Sequence, residues 1–194
     1  MKVALLVNPR AGLGGAVGLK GSDGPELQTE AIARRGQARG ASRVATFLQY
    51  LCSPEGDGAD FFLAPSAQPI TWVTWGAGMG ADSLRSLGFD HVRLGTPGAP
   101  TTAQDTIDAV HAFIDFNVDL IVFAGGDGTA RDVLSAVSGT VSCLGLPAGV
   151  KMHSGVFAIS PRAAARVVAD LANGRLIDRV AREVRDYVEP ERGS

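Results

Sequence analysis

The stretch VDLIVFAGGDGTARDVLSAV, residues 118–137, decides how the rest of the chain is read. Val118, Leu120, Ile121, Val122 and Phe123 make a short, nearly continuous apolar run, the pattern of a parallel strand covered on both faces. The run stops at Gly125, and from Arg131 onward Val133, Leu134 and Val137 recur at helical spacing. The chain therefore passes from strand to helix through Gly-Gly-Asp-Gly-Thr with no spare residues. Such a junction is where an α/β sheet presents its ligand-binding edge.

Gly125, Gly126 and Gly128 permit positive φ and close backbone approach. The helix behind them offers unpaired N–H groups and the positive end of its dipole, which attract phosphate. Thr129 suits either a helix cap or a hydrogen bond to a phosphate oxygen. Asp127 is the odd member, because a carboxylate beside phosphate is repelled unless something mediates. It suits proton abstraction from an attacking hydroxyl, or Mg²⁺ binding. The alternative is an Asp-Gly turn in which the aspartate only caps the helix.

With 194 residues, 45% of them hydrophobic, the chain can bury one substantial core. A formal charge of −2 without a basic block offers no nucleic-acid surface, so no nucleic-acid partner is expected. No apolar run approaches the ~20 residues of a membrane span. The start, Met1-Lys2 with a short strand and Asn8-Pro9, lacks the apolar region and cleavage site of a signal peptide. No membrane partner and a cytoplasmic location are expected. Cys52 and Cys143 lie far apart, in no metal-ligand spacing, and read as buried free thiols. His91, His111 and His153 are equally scattered, so no fixed protein metal site is expected.

Residues 2–7 read as the first strand, ended by Asn8-Pro9. The loop that follows, AGLGGAVGLKGSDGP over residues 11–25, holds six glycines and only two charges, Lys20 and Asp23. Such a loop is either shaped around a ligand or a flexible surface segment. Lys20 suits a phosphate, and Asp23 a metal or ribose. It is not a Walker A loop, since Leu19 stands where a glycine should precede the lysine. Helices are expected over 26–39 and 42–51, separated by Gly40, the second with Val44, Phe47, Leu48 and Leu51 on one face.

Residues 61–63 fit a short strand, and 70–75 a better one. After it Gly76-Ala-Gly-Met-Gly-Ala81 formally satisfies G-x-G-x-x-A and opens a helix over 82–87. A dinucleotide fingerprint also needs an acidic residue about 20 positions on, at the end of the next strand. That strand, 91–94, is followed by no acid until Asp105, so the glycines are read as a second ligand-facing loop over the same sheet edge. A helix over 102–116, capped by Thr101 or Thr102, turns Ile107, Val110, Phe113 and Ile114 to the core. Beyond the opening stretch, 142–146 is a strand closed by Pro147, with Lys151, His153 and Ser154 in the loop at its carboxyl end. Residues 161–173 form a helix that starts on proline and stops at Gly174. The tail over 175–189 fits an amphipathic helix, or a strand over 182–188.

Gly125-Gly-Asp-Gly-Thr129 resembles the motif shared by NAD kinases, diacylglycerol kinases and 6-phosphofructokinases. Three further stretches sharpen the likeness: Asn8-Pro-Arg-Ala-Gly12 with Gly14-Gly15, Gly18-Leu-Lys-Gly-Ser-Asp-Gly24, and Pro147-Ala-Gly-Val-Lys-Met-His-Ser-Gly-Val-Phe-Ala158. In this order they resemble the ATP-NAD kinase-like proteins, a group that includes the AcoX proteins, over about residues 1–188.

The resemblance implies a Rossmann-like amino-terminal domain over residues 1–174, a three-layer α/β/α sandwich on a mainly parallel sheet. Residues 175–194 would begin a carboxyl-terminal β domain that is absent, or form a terminal helix. It implies ATP and Mg²⁺ as cofactors, NAD as substrate and Asp127 beside the hydroxyl to be phosphorylated. Nucleotide and phosphate contacts would come from Asn8, Gly12, Gly14, Gly15, Lys20, Asp23, Gly125, Gly126, Gly128, Thr129, Lys151, His153 and Ser154. Lys20 and Lys151 would be the neutralising cations. A homo-oligomer is a further family expectation. NAD kinases carry an Asn-Asn-Glu/Asp-type motif where this chain has Lys151-Met-His-Ser154, so the nicotinamide-ribose contacts do not transfer. The family also continues through a β-rich domain past the point corresponding to Ser194, as expected of a truncated or naturally short form. The expected function is an ATP-dependent kinase, with polyphosphate as an alternative donor, of NAD or a related small metabolite. The rivals are a non-catalytic nucleotide-binding or regulatory domain, and a kinase of a different small alcohol.

Overall fold

Alternation along two neighbouring strands builds the molecule. In the computed structural model, which describes residues 1–12, 38–52, 69–149 and 152–175, β1 (Lys2–Val7) runs parallel to β4 (Leu120–Gly125). β1 sends Val3, Leu5 and Val7 to one face and Ala4 and Leu6 to the other. β4 sends Leu120, Val122 and Ala124 to the first face, Ile121 and Phe123 to the second. Both faces are therefore apolar, which is why these strands read as continuous hydrophobic runs. β2 (Thr71–Thr74), β3 (His91–Arg93) and β5 (Ser142–Pro147) complete a parallel sheet in the order β3-β2-β1-β4-β5.

Helices cover both faces. On the first lie α1 (Gly40–Cys52) and α5 (Pro161–Ala172), with Leu84 of the short α2 (Ala81–Ser86). On the second lie α3 (Ala103–Asp115) and α4 (Asp127–Val137). The architecture is the expected three-layer α/β/α sandwich. Because β1 to β3 grow outward on one side and β4 returns on the other, the strand order reverses between β1 and β4. Open α/β sheets bind ligands at such a switch point, outside the carboxyl ends of the strands.

Several boundaries differ from the sequence expectation. α1 begins at Gly40 rather than after it, and a Cβ there would lie 2.9 Å from the Asn8 carbonyl oxygen. Glycine is required by a close approach between loop and helix, and it does not break the helix. α4 begins at Asp127, four residues before its apolar periodicity becomes visible. Cys52 ends α1 off its buried stripe and is exposed, so it is a free thiol but not a buried one. The helix expected over 26–39 lies outside the described residues up to 37, and Ala38 and Arg39 are not helical. The strand over 61–63 and the tail from 176 also lie outside the described residues, as do Gly14, Gly15, Lys20, Asp23 and Lys151.

Candidate functional site

Because the strands are parallel, the loops after β1, β2, β4 and β5 leave the sheet at one edge. The loop after β1 turns on Asn8. Its main chain donates to the Ala124 carbonyl at 2.9 Å, tying the turn to β4. Its side chain accepts from the Arg10 N–H at 2.9 Å and donates to Thr129 Oγ1 at 2.8 Å. Thr129, only 5% exposed, is thus held from across the switch point.

Between β4 and α4 stands a single residue, Gly126, the helix N-cap. It has no side chain to cap the helix, so the leading N–H groups of α4 are left for another acceptor. The positive φ permitted by Gly125, Gly126 and Gly128 is not used; Gly126 has φ −111° and ψ −171°. Gly125 is glycine for a steric reason instead. A Cβ there would come within 2.5 Å of Thr129 Oγ1, against the side chain that Asn8 holds.

Asp127, in the first turn of α4, directs its carboxylate to the segment after β5. Oδ2 accepts from the His153 N–H at 2.9 Å. Oδ1 accepts from the Ser154 N–H at 3.1 Å and from Ser154 Oγ at 2.5 Å. Ser154 is buried. A carboxylate offers about four lone-pair positions, and this one uses three.

The loops after β1 and β5 also meet directly. Gly12 adopts φ +82°, and a Cβ on it would run into the Ala148 carbonyl oxygen. Ala148 in turn donates to the Gly125 carbonyl at 3.0 Å. Asn8, Gly12, Gly125, Gly126, Asp127, Gly128, Thr129, His153 and Ser154 therefore form one connected cluster, to which the loop after β2 is adjacent through Gly78, where an added Cβ would lie 3.6 Å from Pro9 Cβ. Sequence reasoning missed Gly149, whose Cα stands 4.0 Å from where a Gly126 Cβ would lie. Its signal was available as the glycine two residues past the proline that closes β5.

Among the described residues no group of three His, Cys, Asp or Glu side chains could hold a metal ion. Burial pushes the Cys143 thiol up to about 12, which keeps it protonated and unsuited to act as a nucleophile. No described helix is long and apolar enough to cross a membrane.

The family model for the ATP-NAD kinase N-terminal domain matches residues 3–176 of the chain. No curated protein and no solved structure gives a match.

Proposed function

The chain belongs to the ATP-NAD kinase family, and from that premise we propose that it transfers the terminal phosphoryl group of ATP to a hydroxyl of NAD or of a related small metabolite. The family supports a kinase-type phosphotransferase; acceptor, donor and residue roles are our reading. One observation carries it: a carboxylate, Asp127, stands in the first turn of a helix whose amino end is uncapped, at the switch point of the sheet.

In this reading the free N–H groups at the start of α4 bind the phosphate to be transferred, and Asn8 fixes the turn through Thr129. The remaining lone pair of Asp127 takes the proton of the acceptor hydroxyl as its oxygen bonds to phosphorus and the bridging bond of ATP breaks, leaving ADP. Lys20 and Lys151 are the cations for the developing charge. Magnesium typically takes one or two carboxylates and completes its shell with phosphates and water. With no three-residue cluster among the described residues, Asp127 fits an ion that arrives on the nucleotide, where it would neutralise phosphate charge. Polyphosphate presents the same terminal group and is an alternative donor.

The test is phosphoryl transfer from Mg·ATP to NAD by this chain and by Asp127→Asn. The expected outcome is a loss of about 10²- to 10⁴-fold in kcat in the variant, with nucleotide affinity little changed. Undiminished activity in the variant removes the mechanism. A second reading, a nucleotide-binding domain without turnover, is favoured by the three hydrogen bonds that give Asp127 a structural task. Calorimetric binding of ATP, with no transfer to NAD or to a panel of small alcohols, selects it.

A further inference from the structure

We propose that Ser154 is a positioning residue for Asp127 and not a contact to phosphate or substrate. The inference rests on the reading of Asp127 as proton acceptor. A serine hydroxyl has one proton to donate, and that of Ser154 goes to Asp127 Oδ1 at 2.5 Å. The residue is only 6% exposed. Its own N–H adds a second donor to the same oxygen at 3.1 Å, while the His153 N–H holds the other oxygen at 2.9 Å.

Donors on both oxygens fix the plane of the carboxylate as well as its direction, and so decide where its unused lone pair points. The two backbone donors belong to a loop, and the Ser154 hydroxyl ties that loop to α4 across 27 residues of sequence. Catalytic geometry is sensitive at this scale: a displacement of about 1 Å can cost on the order of 100-fold in rate. The Ser154 hydroxyl therefore acts on the rate through Asp127 and leaves binding alone.

Ser154→Ala, Ser154→Thr and Asp127→Asn in this chain, assayed with Mg·ATP and NAD, test it. Ser154→Ala should lower kcat by about 10- to 100-fold with KM for both substrates nearly unchanged. Ser154→Thr, which keeps the hydroxyl, should recover most of the loss. A wild-type kcat in Ser154→Ala, or a raised KM at constant kcat, overturns the inference while leaving the kinase reading intact. So does a Ser154→Thr variant as slow as Ser154→Ala at equal melting temperature. Should Ser154→Ala fail to fold, Ser154→Cys, with its weak donor, takes its place in the comparison. An active Asp127→Asn, or no transfer by the wild type, defeats the kinase reading instead. Urea midpoints of Asp127→Ala, Ser154→Ala and the double variant then decide the contact: additive shifts overturn it, and non-additive shifts show that Ser154 holds Asp127.

Discussion

Two glycine-rich turns leave the same edge of the sheet, and their glycines do different things. After β2, Gly80 takes φ +142°, where a Cβ would meet the Leu5 carbonyl oxygen at 2.8 Å and the Thr74 hydroxyl. That turn folds back on its own strand through a bridge between Trp75 and Gly80, and the helix it opens has six residues. After β4 the glycines keep ordinary φ, an 11-residue helix starts one residue past the strand, and Asp127 and Thr129 are tied to the loops after β5 and β1. In the first turn Gly80 makes room for its own and the neighbouring strand; in the second Gly125 makes room for Thr129, while Gly126 leaves a helix end open beside a carboxylate. The G-x-G-x-x-A spacing of the first turn is met one strand away from the place between β1 and β4 where the strand order reverses.

That contrast is broken most directly by substitution in each turn. The largest expected effect is the loss of turnover in Asp127→Asn argued above, with no comparable loss from any change in the turn after β2. Gly80→Ala should instead unfold the protein more easily, by roughly 3 kcal/mol, from strain at positive φ and collision with Leu5 and Thr74. Urea titration reads this, and the kcat of the protein that remains folded should be unchanged. Gly78→Ala is the internal control: its nearest neighbour is Pro9 Cβ at an ordinary 3.6 Å, so stability should stay within about 0.5 kcal/mol. A Gly80→Ala variant as stable as Gly78→Ala would show that the first turn has no packing task.

The same contrast explains how much the sequence disclosed. Strands β1 and β4 are legible because burial on both faces demands unbroken apolar residues, and the motifs in their order resemble the family whose model matches the chain. Asp127 is legible as a carboxylate out of keeping with a phosphate turn. Its partners are not, because no periodicity encodes a hydrogen bond spanning 27 residues, nor the 121 residues between Asn8 and Thr129. Gly40 fails for the same reason: read locally it breaks a helix, and only the distant Asn8 carbonyl reveals why a glycine stands in the first turn of one. The positive φ that Gly125 permits goes unused because the constraint there is a side chain of the next turn, Thr129, and not the backbone.

A smaller effect sharpens the role of the loop after β1. Asn8→Ala removes the donor to Thr129 Oγ1 and the acceptor of the Arg10 N–H. The expected cost is about 1–2 kcal/mol in unfolding free energy, with weaker ATP binding by calorimetry as the turn loosens. Wild-type affinity in a folded Asn8→Ala protein would separate the loop after β1 from the phosphate turn.

The smallest effect compares two carboxylates, each in the first turn of a helix and each accepting three hydrogen bonds. Asp105 opens α3 and takes its donors locally: the Gly98 N–H at 2.6 Å, the Thr102 N–H at 2.7 Å and Thr102 Oγ1 at 2.9 Å. The Gly98 N–H first, and then that of Thr102, hold its carboxyl below the usual aspartate range. A carboxyl lowered in the folded state stabilises the fold above its unfolded value, and the contribution is lost as pH falls through the folded value. Asp105 is partly exposed, so solvent screening keeps the term below about 1 kcal/mol. Asp105→Asn should therefore be slightly less stable than the wild type at pH 6, and the gap should narrow below about pH 4. Turnover should not change, because this carboxylate joins only its own loop and helix, whereas Asp127 joins α4 to a loop 26 and 27 residues away. A gap that is constant with pH would show that the Asp105 bonds act by shape alone. A loss of turnover would mean that the β2–β3 side of the sheet reaches the site after all.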